Sequence, residues 1–335
     1  LAAIAPNFRA HGKADSSKIE AALDEAVTRG EATRYYETGD ADALLSKPYA
    51  LALRYDIAPA LHATLETASA TARLAGGKLE LWIASQAPEA ARLAAAEAAG
   101  IDPRNVVLYP MPAGGSFDRR LEVDHAIEVA AIAKAVGKPV QLTWSRWQEH
   151  VAGWPRTPVA AVMAAKTTSA GEITGWLARL AMPPATREFG RRLFGGQQPW
   201  EAIAASRGEA DMLAMEGAIP PYAIPDLLVE QVPVTIPLPS ARLRGNAHGY
   251  TAFFTVSFID ELARRAKHEP LSYRIAMLGH DPRMVECLQR VAARANWDAG
   301  ADASGQGLAC HVIAANGSGA GRIAVIATAR RDESG

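Results

Sequence analysis

Apolar and polar residues alternate along the chain with two different periods, so both helices and strands are predicted. Apolar side chains recur at helical spacing over residues 17–30 and 87–99, and Gly30 and Gly100 end these two runs. Alternation at every second position predicts a strand over residues 49–57. Because separate hairpins and helices are interspersed without a regular strand–helix–strand series, the pattern favours an α+β fold with mixed sheets and flanking helices.

The rest of the chain follows the same rules. Further strands are predicted at residues 69–74, 78–84, 105–109, 140–144, 159–166, 173–182, 228–237, 307–314 and 322–329. Further helices are predicted at about residues 119–136, 250–267, 270–278 and 282–295. The segments without clear periodicity are predicted to be irregular, namely a polar linker at 31–47, a Gly- and Pro-rich stretch at 183–225, a polar loop at 239–249 and a Gly/Ser loop between the last two strands.

Composition narrows the class of protein. Lys and Arg together number 35 and Asp and Glu 36, and no basic run alternates with aromatic residues, so no nucleic-acid-binding surface is predicted. No apolar run reaches the roughly 18 residues of a membrane-spanning helix, so no membrane span is predicted. The two cysteines, Cys287 and Cys310, are too few and too far apart for a disulfide framework, a zinc site or an iron–sulfur cluster.

The ends of the chain predict a fragment of a longer protein. The chain starts at Leu1 without a signal-peptide pattern, and residues 330–335 have the composition of a turn that would lead into another strand.

A glycine-containing loop at residues 113–118 precedes the predicted helix 119–136. Glycines let backbone N–H groups approach an anion closely, and a helix N-terminus carries a partial positive charge. Arg119 and Arg120 would add to that attraction, although two cations at this end oppose the helix dipole. The alternative is an ordinary loop-to-helix turn in which Asp118 is the N-cap. The loop alone leaves both interpretations open.

Two other segments are candidates for a site. If residues 62–67 continue the preceding strand, His62 and Glu66 share one face, where they would orient a ligand or satisfy each other. The cationic loop 242–249 precedes another predicted helix, and its arginines could bind phosphate or carboxylate or simply be solvated.

No recognised catalytic motif is present: the chain has no Ser–His–Asp order, no HExxH and no Walker loop. His125 and Glu128 lie three residues apart in a predicted helix, where they form either part of a metal site or, more simply, a solvated helix face.

Taken in order, several segments resemble successive signatures of the large, molybdopterin-binding subunit of the xanthine dehydrogenase/aldehyde oxidase family. The branch that they resemble most is the isoquinoline 1-oxidoreductase β-subunit-like proteins, in which Glu122-Val123-Asp124 also follows the pair of arginines. The resemblance covers roughly residues 45–297. The matching segments are His62-Ala63-Thr64-Leu65-Glu66-Thr67, Trp82-Ile83-Ala84-Ser85-Gln86-Ala87-Pro88, Gly114-Gly115-Ser116-Phe117-Asp118-Arg119-Arg120, Gly137-Lys138-Pro139-Val140-Gln141-Leu142-Thr143-Trp144-Ser145-Arg146, Ser257-Phe258-Ile259-Asp260-Glu261-Leu262-Ala263 and Glu269-Pro270-Leu271-Ser272-Tyr273-Arg274.

The resemblance implies a first molybdenum-cofactor-binding domain at residues 45–297. A helical or linker segment at 1–44 precedes it, and residues 298–335 begin a second cofactor-binding domain that is truncated here. The implied cofactor is molybdenum held by a pyranopterin, in the cytosine dinucleotide form. The implied reaction hydroxylates an N-heterocycle or an aldehyde with water as the oxygen source, and a [2Fe–2S] partner subunit takes the electrons. Related subunits occur in both cytoplasm and periplasm, so the compartment stays open.

The resemblance also implies which residues approach the cofactor. In the family, the catalytic base is a Glu in a Gly-rich motif near the C-terminus of the subunit, and this chain has no such motif. Glu66 and Glu261 do not replace it by position, so no catalytic residue and no metal ligand are assigned, and the chain alone is expected to be inactive. The implied cofactor-binding residues are Gln86, Gly114, Gly115, Ser116, Phe117, Asp118, Arg244 and Gly245.

The chain departs from the family pattern within the glycine loop. The usual Gly-Gly-Gly-Phe-Gly is replaced by Gly-Gly-Ser-Phe-Asp, which adds the side chain of Ser116 and the negative charge of Asp118. A second hypothesis follows: a diverged, cofactor-free and non-catalytic homologue that binds a ligand or a partner.

Overall fold

The computed structural model describes residues 14–300, 304–313 and 320–332 of the chain. Its helices are α1 (Ser16–Arg29), α2 (Pro88–Ala99), α3 (Asp124–Val136), α4 (Arg146–Ala152), α5 (Ala185–Leu193), α6 (Pro199–Ala205), α7 (His248–Ala266), α8 (Pro270–Ala276) and α9 (Pro282–Ala295). Its strands are β1 (Thr33–Thr38), β2 (Leu51–Ile57), β3 (Ser69–Ala75), β4 (Lys78–Ile83), β5 (Val106–Pro110), β6 (Val140–Thr143), β7 (Val159–Thr167), β8 (Ile173–Met182), β9 (Asp226–Pro233), β10 (Gln306–Ile313) and β11 (Gly321–Thr328). The predicted α+β class with mixed sheets and flanking helices is confirmed.

The larger sheet has the strand order β1-β9-β8-β7-β2 and is covered on both faces. Its neighbouring strands are antiparallel except β8 and β9, which run parallel. Along β7, Ala161 and Met163 belong to the core shared with α7, whereas Ala160 and Val162 belong to the core shared with α1. Because both faces are buried, β7 and β8 are apolar at nearly every position, and these apolar runs predicted both strands correctly.

The smaller sheet has the strand order β5-β4-β3-β6, and α2 and α3 pack against it. Its edge strand β5 runs parallel to β4 and ends at Pro110, directly before the glycine loop. Both helices bury alanines at helical spacing, and these small side chains let the helices approach the sheet closely. The buried alanines are Ala91, Ala95, Ala96 and Ala99 of α2 and Ala126, Ala130 and Ala133 of α3.

Helix α7 joins the larger sheet to the β10–β11 hairpin. Phe258 of α7 meets the ring of Trp176 edge-on, with 5.1 Å between the ring centroids. Leu308 and Cys310 of β10 are buried in the same core as these two rings. Among the helices that the structure describes, none combines the length and the apolar character needed to cross a membrane.

Three stretches contain regular structure that was not predicted. The predicted linker at 31–47 includes β1, which pairs with β9, and the predicted irregular stretch 183–225 includes α5 and α6. Helix α4 was also missed. As an edge strand, β1 leaves most of its side chains exposed, so it lacks the expected alternation. The three helices have only seven to nine residues, too few turns to show a clear period.

The division into segments 1–44, 45–297 and 298–335 remains a prediction. In the structure, α1 packs on the larger sheet and β1 is one of its strands. Parts of the two terminal segments, including most of the Gly/Ser loop and the last residues of the predicted final turn, lie outside the described residues.

Replacing Phe258 with alanine is expected to lower the free energy of unfolding by about 3–5 kcal/mol, because a fully buried aromatic ring leaves a cavity. The matched control is Phe253→Ala on the same helix, where 46% of the residue is exposed and the loss should not exceed about 1 kcal/mol. Urea unfolding followed by circular dichroism measures both losses. Equal losses would contradict the placement of Phe258 in the core.

Candidate functional site

The two loops that were predicted to approach a ligand lie in direct contact. The backbone N–H of Arg244 donates a hydrogen bond to the carbonyl of Phe117 at 3.1 Å. The carboxylate of Asp118 pairs with Nε of Arg242 at 3.1 Å and lies 3.9 Å from Nε of Arg244. The structure therefore brings together two segments that are far apart in the sequence.

Gln86 brings in a third segment. Its Nε2 donates to Oδ1 of Asp118 at 3.1 Å, and its Oε1 accepts a hydrogen bond from the hydroxyl of Ser116. The backbone N–H of Gln86 donates to the carbonyl of Arg120 at 2.8 Å, which fixes the chain that follows β4. We call this group the Asp118 cluster, and its members are Gln86, Ser116, Asp118, Arg242 and Arg244.

Phe117 and Gly245 flank the Asp118 cluster. The guanidinium of Arg244 lies over the ring of Phe117, 5.7 Å from its centroid, in a cation–π contact. Gly245 has a φ of +90°, and no atom lies within 4 Å of the place where a Cβ would be. The backbone conformation, rather than a lack of space, therefore favours glycine at this position.

The backbone N–H of Gly114 binds a carboxylate of the chain itself, that of Glu66. Its N–H donates to Oε2 of Glu66 at 2.6 Å, and the N–H of Glu66 donates back to the carbonyl of Gly114 at 3.0 Å. A Cβ at position 114 would lie 2.6 Å from Cβ of Glu66, so only glycine fits. The hydrogen bond from Gly114 is the main reason that the pKa of Glu66 is lowered from its usual value. Gly115 is favoured for a different reason, its φ of +97°.

The two arginines after the loop are buried rather than aimed at a ligand. Arg119 is 3% exposed and its Nε donates to Oε1 of Glu149 at 2.8 Å. Arg120 is 2% exposed and donates to the carbonyls of Glu66 (3.2 Å) and Thr67 (3.4 Å). Burial lowers the pKa of Arg120. Burial alone would raise the pKa of Glu149, but hydrogen bonds from the Ala68 N–H and Arg119 outweigh it and lower that pKa.

The prediction of a long helix from Arg119 with Asp118 as its N-cap was wrong. Residues Arg119–Leu121 form a short 3-10 turn, and α3 begins only at Asp124. Asp118 has a φ of +73° and its side chain makes no capping hydrogen bond. The physical reason is competition, because its carboxylate binds Arg242 and Gln86 instead of the free N–H groups of a helix.

His62 and Glu66 do not share one face of a strand, because the chain turns at Ala63, where φ is +47°. Nε2 of His62 donates to the carbonyl of Arg242 at 2.8 Å, and burial lowers the pKa of this imidazole. A neutral, buried His62 therefore holds the backbone of Arg242, a positioning role that the sequence did not suggest.

His125 and Glu128 are neither a ligand pair nor a shared solvated face. His125 is 1% exposed, and its Nε2 donates to the carbonyl of Ala84 at 3.3 Å. Glu128 accepts a hydrogen bond from Nε1 of Trp144 at 2.7 Å. Across the described residues, no three His, Cys, Asp or Glu side chains are grouped so that they could hold a metal ion.

Two residues shape the site without having been singled out from the sequence: Arg242 was considered only as one of the arginines of its loop, and Glu149 was given no role. Arg242 lies in the cationic loop predicted from the sequence. Its positive charge, close to a glycine of that loop, is the feature that could have marked it as a site residue. Glu149 lies in α4, a helix that the pattern did not predict, so nothing in the local sequence marked it as the partner of Arg119.

The fold is that of the molybdenum-cofactor-binding domain of aldehyde oxidoreductases. The structure of quinoline 2-oxidoreductase from Pseudomonas putida 86 superposes with a TM-score of 0.64 at 15% identity, over 84% of this chain and 38% of that one. At this identity the likeness establishes the fold.

Residues 24–182 match the model of the molybdopterin cofactor-binding domain. The beta subunit of isoquinoline 1-oxidoreductase from Brevundimonas diminuta is 27% identical over 236 residues, which cover 70% of this chain and 29% of the relative. A nicotinate dehydrogenase subunit from Pseudomonas putida is 26% identical over 240 residues, which cover 71% of this chain and 19% of the relative. The chain spans less than a third of the length of these two relatives. The predicted resemblance to this family and branch is confirmed.

As arranged, the Asp118 cluster does not fit the anionic pyranopterin that the family implies. Two of the features that would attract an anion already hold carboxylates of the chain: the guanidinium of Arg242 holds Asp118, and the N–H of Gly114 holds Glu66. The hydroxyl of Ser116 is likewise taken up within the loop, by Gln86 and the N–H of Arg120. A bound anion at this place requires the loops to rearrange.

The buried His125 predicts a loss of stability in acid. Burial lowers its pKa from 6.5 to about 4. Because the folded state resists protonation, the stabilisation is complete above the unfolded pKa of about 6.5 and is lost as the pH falls towards 4, by as much as about 3 kcal/mol. His125→Gln retains a donor for the Ala84 carbonyl and should flatten this part of the pH–stability curve.

Urea unfolding between pH 7 and pH 4 measures this effect. The control is His150→Gln, since His150 is exposed on α4. If the His125→Gln variant loses stability with falling pH as steeply as the wild type, His125 is not buried in neutral form.

Proposed function

We propose that the chain is part of the large subunit of a molybdenum hydroxylase and that its loops form one wall of the cofactor site. The convergence of Gln86, the loop 114–118 and the loop 244–245 carries this proposal, because three segments distant in sequence meet at one surface. The molybdopterin-binding family and the two oxidoreductase relatives support it.

The whole protein is proposed to hydroxylate an N-heterocycle or an aldehyde, with water as the source of oxygen. The names of the relatives, an isoquinoline oxidoreductase and a nicotinate dehydrogenase, favour an N-heterocyclic substrate. The proposed cofactor is molybdenum–pyranopterin in its cytosine dinucleotide form, which supplies the redox chemistry when bound. The proposed partners are a [2Fe–2S] electron-transfer subunit and the C-terminal part of the same subunit, which together would complete the site.

Neither of the two glutamates considered from the sequence, Glu66 and Glu261, lies at the loops as an unpaired carboxylate. The carboxylate of Glu66 is bound to Gly114, and Glu261 pairs with Arg264 at 3.0 Å on α7. We therefore propose that the chain alone is inactive and that a general base comes from elsewhere in the protein.

The second candidate is a cofactor-free module that binds a ligand or a partner without catalysis. A specific observation favours it: Asp118 and Glu66 occupy the positions where the loops would hold an anion.

Molybdenum content and isotope transfer distinguish the two candidates. The chain is tagged at its native locus and purified with whatever accompanies it from cells grown with molybdate or, as a control, with tungstate. The first proposal predicts about one molybdenum per chain by mass spectrometry of the metal. It also predicts release of cytidine monophosphate on acid treatment and transfer of ¹⁸O from labelled water to isoquinoline, nicotinate or an aldehyde.

Tungstate-grown protein should lose that transfer. A folded protein with neither molybdenum nor ¹⁸O transfer after growth on molybdate would contradict the hydroxylase proposal and support the cofactor-free module.

A further inference from the structure

A cleft of about 420 Å³ lies between α2, the first turn of α3 and the segment that joins α5 to α6. This volume falls within the range of small-molecule sites, which is about 300–1,000 Å³. The cleft shares no lining residue with the Asp118 cluster. We call it the α2–α3 cleft, and the residues that line it include Leu93, Glu97, Asp124, Ile127, Arg192 and Phe194.

Large apolar side chains that line the α2–α3 cleft are open to solvent. Leu93 of α2, Ile127 of α3 and Phe194 after α5 are 45%, 41% and 80% exposed. A ligand that covers these side chains removes apolar surface from water, which favours binding. A ligand of this cleft should therefore carry an apolar body.

The positive charge in the wall of the cleft is already neutralised. Of the described residues that line the cleft, only Arg192 carries a positive charge. Its guanidinium donates to Oε1 of Glu122 at 3.0 Å and to the carbonyl of Ser240 at 2.9 Å. It also pairs with Glu188 at 3.4 Å, and the ring of Trp154 covers it at 5.0 Å from the ring centroid. Because the side chain of Arg192 is only 8% exposed, an external anion finds no accessible cation here.

Asp124 is the carboxylate of the cleft that is poorly matched by positive charge. Its side chain is 29% exposed, and its Oδ2 accepts a hydrogen bond from Nε1 of Trp154 at 3.1 Å. Its ionic partner, Nη1 of Arg119, lies 3.8 Å away, and Nε of the same guanidinium is bound to Glu149. Burial, together with the nearby charge of Glu122, raises the pKa of Asp124. An additional cation would therefore stabilise the ionised form of this carboxylate.

The charges of the lining residues point to a cation as the ligand. They comprise three carboxylates, those of Glu97, Glu122 and Asp124, and one guanidinium, that of Arg192, which leaves an excess of two negative charges. A cleft lined by an excess of one sign of charge concentrates ligands of the opposite sign. A hydrogen bond between an ammonium group and a carboxylate is also stronger than one between neutral groups.

We infer that the α2–α3 cleft binds a small organic cation, an alkylammonium ion with an aromatic or aliphatic body, whose N–H groups donate to the carboxylate of Asp124. The apolar body packs against Leu93, Ile127 and Phe194. This inference does not rest on the proposed function, because neither the cofactor nor a residue of the Asp118 cluster takes part in it.

A series of three ligands of nearly equal shape tests the inference. The ligands are 2-phenylethylamine, 2-phenylethanol and phenylacetate, which are a cation, a neutral molecule and an anion at about pH 8. Isothermal titration calorimetry on the tagged protein, purified with whatever accompanies it, measures their affinities at low salt. The amine is expected to bind at least about tenfold more tightly than the alcohol, and phenylacetate should not bind measurably.

Two variants locate the binding. Asp124→Asn retains an acceptor for the indole N–H of Trp154 and should lower the affinity for the amine at least about tenfold, with little effect on the alcohol. Ala94→Phe places a ring in the cleft from a half-buried position on α2 and should abolish the binding of both ligands. Thermal unfolding followed by circular dichroism confirms that each variant is folded, and Ala94→Phe decides the question if Asp124→Asn is not.

The matched control is Glu128→Gln on the same helix. Like Asp124, Glu128 accepts a hydrogen bond from an indole N–H, that of Trp144 at 2.7 Å, but it does not line the cleft. The change in net charge equals that of Asp124→Asn. The affinity of this variant for 2-phenylethylamine should equal that of the wild type.

Several results would overturn the inference. They are equal affinities for the amine and the alcohol, amine binding that survives Ala94→Phe, an equal loss in folded Asp124→Asn and Glu128→Gln, and no binding of the amine to the purified protein. Binding of the amine needs no molybdenum, so a protein without the metal would contradict the proposed function and leave this result intact. Conversely, a molybdenum-loaded protein that does not bind the amine would contradict only this inference.

Discussion

The position of the candidate site depends on the burial of one cation, the guanidinium of Arg119. Arg119 is 3% exposed, and a buried charge is stable only when it is paired and hydrogen-bonded. Glu149 supplies the partner from α4, and the ring of Trp144 covers the guanidinium at 5.5 Å from its centroid. The need to pair Arg119 fixes the position of the chain directly after the glycine loop. It therefore also restricts the path of the loop between the end of β5 and Arg119.

Once Arg119 is fixed, the neighbouring contacts follow. Arg120 reaches the carbonyls of Glu66 and Thr67, which places Glu66 on the N–H of Gly114. Asp118, held in a left-handed conformation, faces Arg242. The fold of a molybdopterin-binding domain is therefore combined with two carboxylates of the chain that bind its own loops, Asp118 at Arg242 and Glu66 at Gly114.

Much of the fold was predictable from the sequence because its signals are local. The continuous apolar runs of β7 and β8 and the helical spacing of α2 and α9 gave elements of the right type within a few residues. The late start of α3 was not predictable, because it depends on Asp118 finding partners far along the chain. The same applies to the site: the order of motifs indicated two loops that are in contact in the structure, but the pairing of Arg119 with Glu149 is a tertiary contact that no local pattern records.

The most direct test of the role of this buried pair is a double-mutant cycle on Arg119 and Glu149, measured as free energies of unfolding in urea. The variants are Arg119→Met, Glu149→Gln and the pair together; the glutamine retains an acceptor for the Ala68 N–H. We predict that each single change costs about 3–5 kcal/mol, because it strands a buried charge, and that the double variant costs less than the sum by at least about 2 kcal/mol. Losses that add to within about 0.5 kcal/mol would contradict the claim that this buried pair fixes the loop.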